Sequence, residues 1–161
     1  MKFNQAILLG ATSFLIGITP ISFAVADQTP TTVQSSMSNP ATVAQASTAI
    51  ASGTFTAGEA PTTGTARIVT EGGHRYLELD AAFSTSNMGP DLHVLLDSAA
   101  QPPQSYANLG GAINLGELHD FSGAQRYPIP DSIDLASFST VVVWCRMANA
   151  TFGYAPLTMT R

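Results

Sequence analysis

From residue 53 onward the apolar positions recur at every second residue, in short runs closed by Gly, Pro, Asn or Asp. A period of two is that of a strand with one buried face. "GTFTAG" leads into the turn segment "EAPTTG". In "TARIVTEGGHRYLELD", Ala66–Ile68 and Tyr76–Leu79 flank Gly72-Gly73, which predicts a tight hairpin. "PDLHVLLD" follows Gly89-Pro90 and places Leu92, Val94 and Leu96 on one face, with His93 on the outer face of a half-buried strand. "GAINLGEL" alternates Ile113, Leu115 and, past Gly116, Leu118. Two prolines in "AQRYPIP" assign that run to a sheet edge or a strand end, because proline cannot donate to a ladder. "FSTVVVWCRM" is apolar on both faces and predicts a central strand covered on both sides. "ATFGYAPL" closes the series, and "DSIDLASF" reads as a short turn rather than a helix. No stretch of the domain sustains a 3.6-residue period. The expected class is all-β, an antiparallel β-sandwich, with a barrel-like arrangement as the alternative.

The first residues follow a different pattern. Residues 1–26 carry Lys2, an uncharged apolar run from Ala6 to Ile18, and Ala24-Val25-Ala26, the three parts of a secretory signal peptide. The apolar run is short for a bilayer span, so cleavage near Asp27 is expected rather than retention as an anchor, with no membrane span remaining. The expected location is exported, periplasmic or extracellular. Residues 27–52 are rich in Thr, Ser, Gln and Ala and carry no charge after Asp27, which predicts a flexible linker. Residues 53–161 are then one domain, large enough for a single core.

Charge narrows the partners. Past residue 26 the chain holds five arginines and no lysine against eleven acidic residues. Such a surface repels phosphate backbones and anionic lipid, which argues against nucleic acid and membrane surfaces as partners.

Cys145 is the only cysteine. Exported proteins usually pair their cysteines, so a single thiol in an apolar strand is either a small core residue or a group kept for its reactivity. Alternation puts Val141, Val143, Cys145 and Met147 on one face and Val142, Trp144 and Arg146 on the other. Arg146 therefore points away from the sulfur, and its positive charge is not placed to favour a thiolate. The weaker strand sequence "MANA" that follows puts Cys145 at the end of its strand, near the sheet margin.

Four stretches, "SGTFTAGEAPTTGTARIV", "YLELDAAFSTSNMGPDLHVLL", "NLGELHDFSGAQRYPIP" and "DLASFSTVVVWCRMANATFGYAPL", resemble in this order the electron-transfer DM-thirteen domain, a DOMON-associated extracellular family. The resemblance covers Gly53 to Leu157. It implies an exported β-sandwich, a redox partner protein, and a cysteine that acts as a bare thiol or holds a prosthetic group such as haem. Cys145 falls on that cysteine's position.

A haem needs an axial ligand and a wide apolar slot. The sequence has no C-x-x-C-H, which excludes covalent c-type attachment. Cys145, His93, Met88 and Met147 remain as non-covalent candidates, and Cys145 with His93 is the cofactor-binding pair to test. Cys145 and Met147 leave a strand in parallel and cannot clamp one haem from two sides. A blue-copper site is disfavoured because no histidine follows Cys145, and zinc because the histidines are scattered. No metal site is assigned. His74, beside the glycine turn, and His119, in a loop, are expected to be solvated.

Hydrolase, metalloprotease, Walker and dinucleotide motifs are missing. The oxygens of Asp80, Ser84, Ser86, Asn87 and Asp91 suit turn capping or a cation, turn chemistry being the simpler account. Asn149-Ala150-Thr151 is a glycosylation sequon in form. Phe55, Phe83, Phe121, Trp144, Phe152 and Tyr154 are expected to pack core and turns. Two function classes follow: an exported redox module centred on Cys145, or a non-catalytic binding or adhesion sandwich with a structural cysteine.

Overall fold

A computed structural model describes residues 46–160. The expected signal peptide, the linker residues 27–45 and residue 161 lie outside the described residues. The described strands are β1 (Thr48–Thr54), β2 (Thr56–Ala57), β3 (Thr65–Glu71), β4 (His74–Leu79), β5 (Leu92–Asp97), β6 (Ile113–Glu117), β7 (Gln125–Ile129), β8 (Thr140–Cys145), β9 (Ala150–Pro156) and β10 (Thr158–Met159). They form two sheets of five, ordered β10-β1-β3-β4-β7 and β2-β9-β8-β5-β6. Every pairing is antiparallel. Each sheet keeps two edges, so the fold is a sandwich and not the barrel-like alternative.

Local chemistry sets the connections. Gly72 and Gly73 both have positive φ, 59° and 84°, and join β3 to β4 with Glu71 opposite His74. Two successive positive φ values match the strand twist and come readily to glycine. Proline-bearing β7 is an edge strand. The segment "DSIDLASF" makes only a 3₁₀ turn, Leu135–Ser137, whose Ala136 N–H is capped by Asp134 Oδ1 at 3.1 Å.

One boundary moves. The expected linker ran to Ser52, but Thr48–Ser52 are already paired with Thr70–Arg67 of β3, and Ala51 is buried. Small uncharged residues read as linker because they offer little apolar area. Here they pair with β3, and only Ala51 among them enters the core. After Thr54 the chain crosses from one sheet to the other at buried Phe55.

The main core lies between the sheets and includes Ile68, Leu77, Leu79, Phe83, Leu92, Val94, Leu96, Tyr127, Val141, Val143, Cys145 and Phe152. A second cluster, Leu95, Tyr106, Val142 and Trp144, covers the outer face of the second sheet, with Leu109 and Ala112 packed against it. Tyr106, Leu109 and Ala112 belong to the β5–β6 connection, which folds back over the strands. That cover leaves every residue of β5 and β8 buried. The expected two-faced burial of "FSTVVVWCRM" is realised over Thr140–Cys145, and β8 is the middle strand of its sheet.

Candidate functional site

Cys145 is the last residue of β8, opposite Leu92 of β5 and Ala150 of β9. The strand-end position matches the sequence expectation, but the margin is not an open one. The residue has 0% exposure and belongs to the core between the sheets. Arg146, Met147 and Ala148, which follow it, are exposed and form the turn into β9. Met147 has left the strand and is 74% exposed, so it does not continue the face of Val141, Val143 and Cys145.

Arg146 lies in the turn, past the strand on which alternation placed it, and its side chain pairs with Asp91. Its Nε donates to Asp91 Oδ2 at 2.8 Å, and its backbone N–H donates to the Asp91 carbonyl at 2.8 Å. The other Asp91 oxygen, Oδ1, lies 2.9 Å from His93 Nε2, and Asn114 Nδ2 lies 3.1 Å from His93 Nδ1. Asn114 Oδ1 accepts from the Gly116 N–H, which orients the amide with its NH2 toward the imidazole. Nδ1 is then an acceptor and Nε2–H a donor to Asp91, the pattern of a neutral imidazole. The Arg146 hydrogen bond is the main cause that lowers the Asp91 pKa from its ordinary 3.8; desolvation opposes it, and the weaker His93 hydrogen bond adds to the lowering. His93 is 8% exposed rather than half-buried, because Asp91 and Asn114 satisfy its polar atoms.

The proposed cofactor pair does not converge. Cys145 is opposite Leu92 and faces the inter-sheet core, whereas His93 is opposite Trp144 and faces the other side of the sheet. A thiolate and an imidazole separated by a strand layer cannot reach one iron. Both His93 nitrogens are also already engaged. Met88 is 83% exposed in the loop before β5. A haem held by Cys145 and His93 does not fit these residues. Among the described residues no three His, Cys, Asp or Glu side chains converge as a metal site.

The polar loop before β5 works as turn chemistry. Asp80 Oδ1 accepts from the Thr65 N–H and Ser86 Oγ from the Met88 N–H, while Ser84 bridges Thr63 and Ser122. Phe55, Phe83, Trp144 and Phe152 pack as the pattern predicts, whereas Phe121 is 41% exposed. His74 is exposed beside Asp131, 3.1 Å away, and the His119 ring stacks on Tyr127 at 4.5 Å.

Three polar residues were not singled out for function from the sequence or were seen only as part of a sequon. Tyr106 Oη donates to Asp97 Oδ2 at 2.6 Å inside the second cluster. Asn149, with φ 49°, accepts through Oδ1 from the Trp144 Nε1–H and the Tyr106 N–H, and its Nδ2 donates to the Tyr106 carbonyl at 2.9 Å. The sequon nitrogen is thus occupied in the folded domain. Tyr106 lies in "QPPQSYANLGG", where no periodicity marks its burial. Asn149 is legible only as a turn residue that tolerates positive φ.

No helix among the described residues is long and apolar enough to cross a membrane. No curated protein and no solved structure matches the chain. A family model described as electron transfer DM13 matches residues 54–157, more than half of the 161-residue chain and nearly the whole sandwich. The chain belongs to the electron transfer DM13 family, which gives the domain an electron-transfer role in general terms.

Proposed function

We propose that this protein is an exported electron-transfer module whose redox group is the free thiol of Cys145, reached by opening of the β8–β9 turn. The observation that carries this reading is the place of the thiol. It is the last residue of a central strand, fully covered, and directly followed by three exposed turn residues. Turns at the end of a sheet open at lower free energy than the strands they join. Val141 and Val143 hold the rest of β8 in the core while the end opens. The sequence features of residues 1–26 support export.

A single cysteine cannot form a disulfide within the chain, so the chemistry has to involve a partner's sulfur. As thiolate, Cys145 attacks one sulfur of a partner disulfide. A mixed disulfide forms, and the partner's other sulfur leaves and takes up the proton. A thiol of a donor dithiol then attacks the Cys145 sulfur, releasing the partner fully reduced, and the donor's second thiol displaces Cys145, which leaves as thiol while the donor ends as a disulfide. Closure of the turn would protect the thiol from small oxidants between encounters.

The competing reading is a binding or adhesion sandwich in which Cys145 is a packing residue. Its zero exposure favours that reading in the closed state. Incubation of the folded chain with a dithiol–disulfide redox buffer separates the two. The redox reading expects a mixed disulfide on Cys145 that forms and resolves while the far- and near-ultraviolet circular dichroism stays native. Mixed disulfide seen only in denaturant would support the packing reading.

A further inference from the structure

The outer face of the second sheet holds a group of side chains that thiol exchange does not use. Trp144, next to Cys145 on β8 but on the opposite face of the sheet, meets Tyr106 edge-on, with ring centroids 5.8 Å apart and planes at 77°. Both rings are nearly buried, at 7% and 8% exposure. The Tyr106 hydroxyl donates to Asp97 Oδ2 at 2.6 Å, and Asp97 is 5% exposed. The other carboxylate oxygen, Oδ1, accepts from the Ala99 N–H at 2.8 Å. A carboxylate buried against aromatic rings is costly, and an apolar residue would cover this face without that cost.

The chain has four tyrosines, at 76, 106, 127 and 154. Only the Tyr106 hydroxyl is bonded to a carboxylate among the described residues. Tyr127 donates to the Gln125 amide oxygen, and the Arg126 guanidinium lies 3.8 Å over the Tyr76 ring. A cation over the ring disfavours loss of an electron, and a neutral amide cannot take the proton. A carboxylate in hydrogen-bond contact favours it, because it can take the proton.

We infer that Tyr106 is a one-electron donor site of this domain, losing its electron together with transfer of its proton to Asp97, with Trp144 as the adjoining ring through which the electron passes. The inference rests on the general electron-transfer reading and not on Cys145. The electron leaves for a one-electron acceptor of high potential, such as an oxidised metal centre of a partner. The hydroxyl O–H bond breaks, and its proton moves along the 2.6 Å bond to Asp97 Oδ2. The products are a neutral phenoxyl radical, a neutral carboxylic acid and the reduced acceptor. The pair changes from one negative charge to none, so oxidation removes a buried charge instead of creating one. Burial and the bond to Asp97 push the Tyr106 pKa up, so the phenolate route is closed and the coupled route is the open one. Trp144 Nε1–H donates to the neutral Asn149 amide, which cannot accept a proton, so an oxidised Trp144 passes its vacancy on to Tyr106.

The test is flash oxidation of the full chain with photogenerated ruthenium(III) tris-bipyridyl, followed by transient absorption and freeze-quench electron paramagnetic resonance. A phenoxyl radical is expected in the unaltered chain. Tyr106→Phe should remove it and leave an indole cation radical on Trp144. Asp97→Asn, or deuterium oxide with the unaltered chain, should slow phenoxyl formation, the substitution by on the order of a hundredfold as for loss of a placed general base. An unchanged phenoxyl yield in Tyr106→Phe would overturn the inference. So would a formation rate that ignores both Asp97→Asn and deuterium oxide; the solvent measurement needs no variant and stands even where Asp97→Asn does not fold. The signal reads Tyr106 and the redox-buffer experiment reads Cys145, so either claim can fail alone.

Discussion

Cys145 and His93 sit one residue out of register across β8 and β5, and that single step puts their side chains on opposite faces of the sheet. Side chains alternate with a period of two, so no small adjustment of the sheet brings them together. The thiol and the imidazole therefore belong to different environments. Cys145 lies in an apolar interior, and His93 lies in a charged, fully bonded network with Asp91 and Asn114.

That separation makes His93 a structural residue. His93→Ala removes the partner of both Asp91 Oδ1 and Asn114 Nδ2 at a site of low exposure, and it should cost about 2 kcal/mol in a urea titration. It should leave the thiol chemistry of Cys145 in place. Loss of thiol exchange without loss of stability would contradict this assignment.

Acid should weaken the same corner. The folded pKa of Asp91 lies below its ordinary 3.8, so its contribution to stability is complete above that value and is lost as pH falls through the lowered folded value. Urea midpoints measured from neutral pH down to about pH 2 should decline at the acid end less steeply in Asp91→Asn than in the unaltered chain. Arg146→Met, which removes the main cause of the lowering, should flatten the acid limb as well.

The strand segments, the glycine hairpin and the central, two-faced β8 were legible because period, turn residues and apolar runs are local signals, whereas the order of the strands within each sheet was not. The start of β1 was not. Thr48–Ser52 carry uncharged, mostly small side chains that serve a linker and a strand equally, and only the pairing with β3 decides between the two. The alternation of Val141, Trp144 and Cys145 between faces was readable. The covering of β5 and β8 by the β5–β6 connection was not, since Tyr106 meets Asp97 and Trp144 through tertiary contacts that no spacing encodes. His93, which alternation alone placed on a half-exposed face, is buried among Asp91, Asn114 and Trp144, contacts that spacing does not encode either.

Truncation tests the revised boundary. Deleting residues 27–45 should leave the thermal midpoint within a few degrees, because that composition offers little to a core. Deleting residues 27–52 also removes the paired Thr48–Ser52 and buried Ala51, and should lower the midpoint sharply or prevent folding. Equal midpoints for the two truncations would mean that β1 adds nothing to the sandwich.

Asn149 should be a conformational and hydrogen-bonding keystone of the β8–β9 turn. Asn149→Gly keeps the positive φ but loses the bonds to Trp144 and Tyr106. Asn149→Ala loses the bonds and adds backbone strain, and should be less stable than the glycine variant by roughly 1 kcal/mol. Both should speed the labelling of Cys145 if the turn gates access to it.

Stability alone cannot identify what Cys145 does. Its sulfur is fully buried, so Cys145→Ser places a hydroxyl in an apolar site and should cost on the order of 1–3 kcal/mol whatever the function. The direct measurement is the rate at which Cys145 in the native protein reacts with a small disulfide reagent, followed as urea is raised from zero. A gated redox thiol predicts slow labelling at low urea, with a free energy of opening well below that of global unfolding and nearly independent of urea. Labelling whose opening free energy equals that of global unfolding, with the same urea dependence, would contradict it and leave Cys145 as core packing.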